Sequence, residues 1–147
     1  MNYTVKVKKL HEDAILPKIA KLGDAGADLY AIEDVTIDPK QTIVVKTGIA
    51  IELPIGTEAQ IRPTSGNALK TGTILPNSPG TIDEGYRGEV GVIMTNLKDE
   101  PVTILKSKKI AQMCVREVPK VSFIEVNELS DSERGDSGYG STGVMNK

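Results

Sequence analysis

Residues 43–53 read IVVKTGIAIEL, a run rich in Ile and Val in which Ile49-Ala50-Ile51-Glu52 alternates with a period of two. Successive side chains of a strand point to opposite faces, so this pattern predicts a half-buried β-strand and not a helix, whose period is 3.6. Outward from it, segments of the same kind recur between turn residues. They are Tyr3–Lys8, where Val5-Lys6-Val7-Lys8 alternates, Glu58–Ile61, Val90–Leu97, Val102–Leu105, Ile110–Val118 and Val121–Val126. The only helix predicted is the short Asn67–Thr71, confined between a Ser-Gly pair and Gly72. Regular βαβ alternation is absent, which excludes a doubly wound sheet and favours an all-β sandwich or jelly roll.

The chain of 147 residues fits one domain able to bury a core without disulfides. We read residues 1–129 as that domain. From about Ser130 the sequence turns polar and glycine-rich, ending GDSGYGSTGVMNK, so residues 130–147 are expected to form a flexible arm. No apolar run is long enough to span a bilayer, and the N-terminus shows no signal-peptide pattern; no membrane association and a cytoplasmic location are expected. Cys114, the one cysteine, lies in an apolar run and reads as a core thiol.

The inventory removes classes of chemistry. One His and one Cys cannot supply the four or so ligands of a zinc site, which excludes a zinc-dependent deaminase. His11 has no nucleophile beside it, so a hydrolase built from this chain needs a carboxylate as base. A net charge of −2 argues against a nucleic-acid partner. Residues 66–71, GNALKT, contain the Lys-Thr of a phosphate-binding P-loop but not its glycine spacing.

Scarce rings mark two loops. Tyr86 in EGYRG and Tyr139 in SGYGST sit among glycines, where a ring can cover a flat base or a sugar without steric interference; either also reads as a ring packed on the surface. Ser141 and Thr142 follow Tyr139 with hydroxyls beside glycine-exposed N–H groups, a composition suited to phosphate oxygens and also to a plain linker. Asp83 sits at a turn between Pro79-Gly80-Thr81-Ile82 and Glu84-Gly85-Tyr86-Arg87. A turn Asp commonly bonds its own backbone, and becomes a general base only beside a bound ester.

Five fragments in this order, AGADLYA (25–31), RPTSGNALK (62–70), NSPGTIDEGYRGEVGV (77–92), KKIAQM (108–113) and ERGDSGYGSTG (133–143), resemble the ordered motifs of trimeric dUTP pyrophosphatases (dUTPases). The resemblance covers nearly the whole chain. It implies a distorted jelly-roll (β-clip) sandwich, a homotrimer with sites shared between subunits, and hydrolysis of dUTP to dUMP and pyrophosphate with Mg2+ as cofactor. Asp83 would be the general base. Thr64, Ser65, Gly66 and Gln112 would face the phosphates, and Asp28 would hold a water of the metal shell, the metal being held mainly by substrate phosphates. Asn77, Gly80, Thr81, Ile82 and Gly91 would form a slot for uracil, with Tyr86 beneath the deoxyribose. Arg134, Tyr139, Gly140, Ser141 and Thr142 would close as a lid.

The chain departs from the family pattern at Thr64, where Arg is usual, at Asn67 for Leu, at Lys109 for Arg and at Tyr139 for Phe. Two other readings stay open at this point: a dCTP deaminase, which shares the fold, and a nucleotide-responsive regulator in which turnover is secondary.

Overall fold

The computed structural model describes residues 2–139. Among them the elements run β1 (Lys6–Lys9), β2 (Ala27–Tyr30), β3 (Val35–Ile37), β4 (Thr42–Glu52), β5 (Thr57–Arg62), α1 (Ser65–Thr71), β6 (Thr73–Ile74), β7 (Gly80–Ile82), β8 (Glu89–Asn96), β9 (Val102–Ile104) and β10 (Lys109–Glu117). They build two antiparallel four-stranded sheets, ordered β1-β4-β8-β6 and β2-β10-β5-β7, and a ribbon of β3 with β9. This is the expected distorted jelly roll with one short helix. No helix among the described residues is long and apolar enough to cross a membrane.

Period-two patterning turns directly into the core. Along β8 the side chains of Val90, Val92, Met94 and Asn96 are buried, and along β5 those of Thr57, Ala59 and Ile61, each alternating with half-buried neighbours. Leu29, Ile37, Ile49 and Ile110 join them with essentially no exposed surface. Full burial of such a side chain stabilises the fold by roughly 1.5–3 kcal/mol. Asn96 is a polar member of this layer, and its amide is satisfied: Nδ2 donates to the Ile37 and Glu100 carbonyls at 3.0 and 2.8 Å, and Oδ1 accepts from Lys98 N at 2.8 Å. Cys114 is buried and free, as a core thiol.

Strand β4 breaks register with β8 between Lys46↔Gly91 and Ala50↔Glu89. Gly48 occupies the break with φ of 71°, and a Cβ there would lie 2.9 Å from the Ile32 side chain. Glu89 Oε1 accepts from Gly48 N at 2.8 Å, tying the irregular stretch to the first residue of β8.

The segment 121–126, expected as a strand, is not one. Phe123 and Ile124 are exposed, and no strand among the described residues takes up their backbone groups. A run of β-prone residues makes a strand only where a partner edge is available. Conversely β2, β3, β6 and β7 are two to four residues long, too short for a period to register.

Candidate active site

Strand β7 is the edge of its sheet, paired on one side with β5 through Gly80↔Ile61, Thr81↔Gln60 and Ile82↔Ala59. Its other edge borders a cleft of about 210 Å³ whose apolar wall includes Leu75, Val90 and Ile93. Asn77, Gly80, Thr81, Ile82, Asp83, Tyr86 and Gly91 all line it, so the sequence-predicted slot and base come together in one place. A Cβ on Gly80 would lie 3.1 Å from Asn77 Nδ2, so the glycine is what allows that amide so close to the edge strand. An edge strand offers main-chain donors and acceptors in a fixed row, the means by which a planar polar ligand can be read.

Asp83 begins the turn that leaves β7. Its carbonyl accepts from Tyr86 N at 3.0 Å, while its carboxylate stands exposed at the cleft. The turn is braced twice: Arg87 Nη1 donates to the Glu84 and Tyr86 carbonyls at 2.7 and 3.0 Å, and Glu84 Oε2 accepts from Gly56 N at 2.7 Å. Tyr86 folds back over Gly88 and donates from its hydroxyl to the Glu89 carbonyl at 3.0 Å. A Cβ at Gly88 would fall 2.5 Å from that hydroxyl, so the ring position depends on the glycine.

A second cleft, of about 430 Å³, gathers Asp28, Thr64, Ser65, Gly66 and Gln112 together with Asn67 and Lys109. Thr64 is the N-cap of α1: its extended backbone (φ −100°, ψ 143°) lets the side chain accept from Asn67 N at 3.3 Å. Gln112 Nε2 donates to the Pro63 carbonyl at 2.9 Å. Asp28, on β2, is nearly buried and pairs with Lys109 at 2.6 Å. The Asp28 carboxylate raises the Lys109 ammonium above its ordinary value, so this cation stays charged throughout the neutral range. The two clefts share no lining residue.

Arg134 and Tyr139 lie in the tail, touching neither cleft. Arg134 Nε donates to the Ser137 carbonyl at 3.1 Å, and the Tyr139 ring is exposed. Gly140, Ser141 and Thr142 lie outside the described residues.

The dUTPase family model matches residues 12–143. The chain belongs to the dUTPase family. Among its relatives, the deoxyuridine 5'-triphosphate nucleotidohydrolase of Clostridioides difficile is 56% identical over 141 residues, covering 96% of this chain and 99% of that protein. That of Alkaliphilus metalliredigens is 52% identical over 142 residues, covering 97% and 99%. The structure of Staphylococcus bacteriophage 80alpha dUTPase with dUPNHPP superposes with a TM-score of 0.89 at 29% identity, covering 96% of this chain and 99% of that one. A mutant dUTPase of phage phi11 of S. aureus, whose structure concerns the coordination of a structural Mg(II) ion, gives 0.78 at 26% identity, covering 85% and 97%.

Within this dUTPase, no group of three or more His, Cys, Asp or Glu that could hold a metal occurs among the described residues. That donor set does not suit an all-protein cage. Mg2+ ordinarily keeps several waters and takes one or two carboxylates plus substrate phosphates, and Asp24 and Asp28 are the carboxylates that line the second cleft. The sequence reading missed the braces Glu84 and Arg87 and the apolar wall of Leu75 and Ile93, because the former look like ordinary turn residues and the latter like core. It also gave no role to Asn67, whose partners lie more than forty residues away.

Proposed function

We propose that this dUTPase hydrolyses dUTP to dUMP and pyrophosphate by attack of an Asp83-activated water on the α-phosphorus. The observation that carries the reading is the exposed Asp83 carboxylate in the same cleft as the edge of β7 and the Tyr86 ring. The β7 edge and Asn77 pair with the polar edge of uracil; the main chain at the slot leaves no room for a methyl at C5, which excludes dTTP more strongly than the 1–3 kcal/mol or so that a loosely fitting pocket achieves. Tyr86 lies under the deoxyribose and blocks a 2′-hydroxyl. Ser65, Gly66 and Gln112 donate to the phosphates, with Lys109 supplying charge that the absent arginine at position 64 does not.

Asp83 orients the water and takes its proton; the bond to the β,γ-pyrophosphate breaks as the new P–O bond forms, with no covalent enzyme intermediate. Asp28 would hold a water of a bound Mg2+, and the ion would supply positive charge against the departing pyrophosphate. The base cleft and the phosphate cleft have no residue in common, in keeping with the homotrimer, its sites shared between subunits, that the resemblance to the family implies. Residues 130–147 act as an arm that brings Arg134, Tyr139, Gly140, Ser141 and Thr142 over a neighbouring subunit's site.

Pyrophosphate release should be measured with dUTP, dTTP, dCTP and UTP, with and without Mg2+. Release from dUTP alone, dependent on the metal, is expected. Ammonia from dCTP, or tight dUTP binding with no pyrophosphate, overturns the reading.

A further inference from the structure

In the phosphate-side cleft, Asn67 makes contacts unlike those of its neighbours. From the first turn of α1 its side-chain nitrogen reaches the Lys109 carbonyl at 3.0 Å and the Ile110 carbonyl at 3.2 Å, both on β10. Two carbonyl oxygens can be met only by the NH2 end of the amide, so the orientation of the group is fixed by its partners. The contact is answered from the opposite direction by Gln112 Nε2, which donates to the Pro63 carbonyl at 2.9 Å. Residues 63–67 are thus pinned to β10 at both ends, with Ser65 and Gly66 between the pins. The carbonyl that receives Asn67 belongs to Lys109, whose ammonium pairs with Asp28 on β2 at 2.6 Å.

The other end of the helix is tied by Thr71 Oγ1 to Thr73 Oγ1 at 2.8 Å and by Lys98 Nζ donating to the Lys70 carbonyl at 3.2 Å, away from Ser65 and Gly66. None of its residues is buried, and Leu69 on it is almost fully exposed. Apolar packing therefore does not set where Ser65 and Gly66 stand relative to Gln112. Directed hydrogen bonds do.

We propose that Asn67 is a positioning residue for the triphosphate: by tying α1 to β10 it holds Ser65 and Gly66 in register with Gln112 and with the Lys109–Asp28 pair. The role rests on the assignment of Ser65 and Gly66 to the phosphates. It also gives the unusual Thr64 and Asn67 one joint purpose, since Thr64 caps the helix on the Asn67 N–H while the Asn67 side chain anchors it.

The test uses the full chain with Asn67→Leu, which removes both donors and keeps a good helix former, and Asn67→Asp, which keeps the shape and sets a carboxylate against two carbonyls. Binding of a non-hydrolysable α,β-imido dUTP analogue with Mg2+ is compared with binding of dUMP, which lacks the outer phosphates. Losing an interaction of this class should weaken the analogue about tenfold in both variants and leave dUMP within about twofold. Analogue affinity unchanged in a folded variant, or equal losses for both ligands, would overturn the proposal. So would failure of both variants to fold, since that would place Asn67 in the scaffold and not in the site. Ser65→Ala in the parent sequence separates the two levels: if it leaves analogue binding intact, the phosphate assignment itself fails, whereas a loss there with none in the Asn67 variants refutes only the positioning role.

Discussion

Asp83 and Tyr86 stand three residues apart on one braced turn, yet they govern different quantities. Asp83→Asn keeps the shape and the turn hydrogen bond from Tyr86 N, which uses the main-chain carbonyl and not the carboxylate. Turnover should therefore fall by roughly 10²–10⁴ while affinity for the imido analogue stays near the parent value. Single-turnover kinetics beside calorimetric binding checks this, and retained turnover removes Asp83 from the role of base. Tyr86→Ala removes the ring that packs over Gly88, so UTP should gain as a substrate relative to dUTP. Competition between the two nucleotides measures it, and an unchanged preference places the wall against the 2′-hydroxyl elsewhere. Asp83 and Tyr86 drew notice in the sequence as a turn carboxylate and a scarce ring among glycines, but each also had a plain structural reading, and only the resemblance to dUTPases gave them the roles proposed here. Asn67 was not legible, because its meaning lies in two carbonyls on a strand that only folding brings near.

At the scale of elements, legibility follows length and partner. Strand β8, eight residues long, alternates in burial along its whole length, whereas the eleven-residue β4 alternates only as far as Thr47, beyond which every residue to Ile51 is buried. In β2 the consecutive Asp28 and Leu29 are both buried, so no alternation exists to read. The apparent strand at 121–126 fails for a different reason: it is β-prone in composition, but its residues are exposed and no strand among the described residues pairs with it. The break in β4 shows how local a strand's demands can be. Gly48→Ala imposes a positive φ on a side chain and drives its Cβ against Ile32, so it should destabilise the fold by roughly 1–3 kcal/mol, read as a lowered urea midpoint. Thr64→Ala removes the cap of α1 at a local cost of about 1 kcal/mol. Since α1 buries no residue, this should appear as faster amide exchange in residues 65–68 with a global midpoint close to the parent's. A large drop in that midpoint would show α1 to be part of the cooperative unit.

For the whole molecule the decisive question is whether three copies share each site, as proposed above. Chains carrying Asp83→Asn lack every base, and chains cut after Ser130 lack every arm. If base and arm always come from different subunits, each mixed trimer holds one complete site out of three. With equal amounts refolded together, about three quarters of trimers are mixed, so activity should recover to about a quarter of the parent's. Activity that stays at background would mean that each subunit closes its own arm on its own Asp83. The row of main-chain groups along the free edge of β7 carries a different consequence, one for heredity. A ligand edge read by backbone amides is indifferent to most side-chain changes along the strand, so drift can rewrite residues there without rewriting the choice of base. On the proposed reading, what sets that choice is the alignment of Gly80, Thr81 and Ile82 on β5. Only a slip of that alignment, by insertion or deletion, presents a new pattern. Preference for another nucleobase is therefore more accessible to a lineage through a change in loop length than through any single codon of the strand.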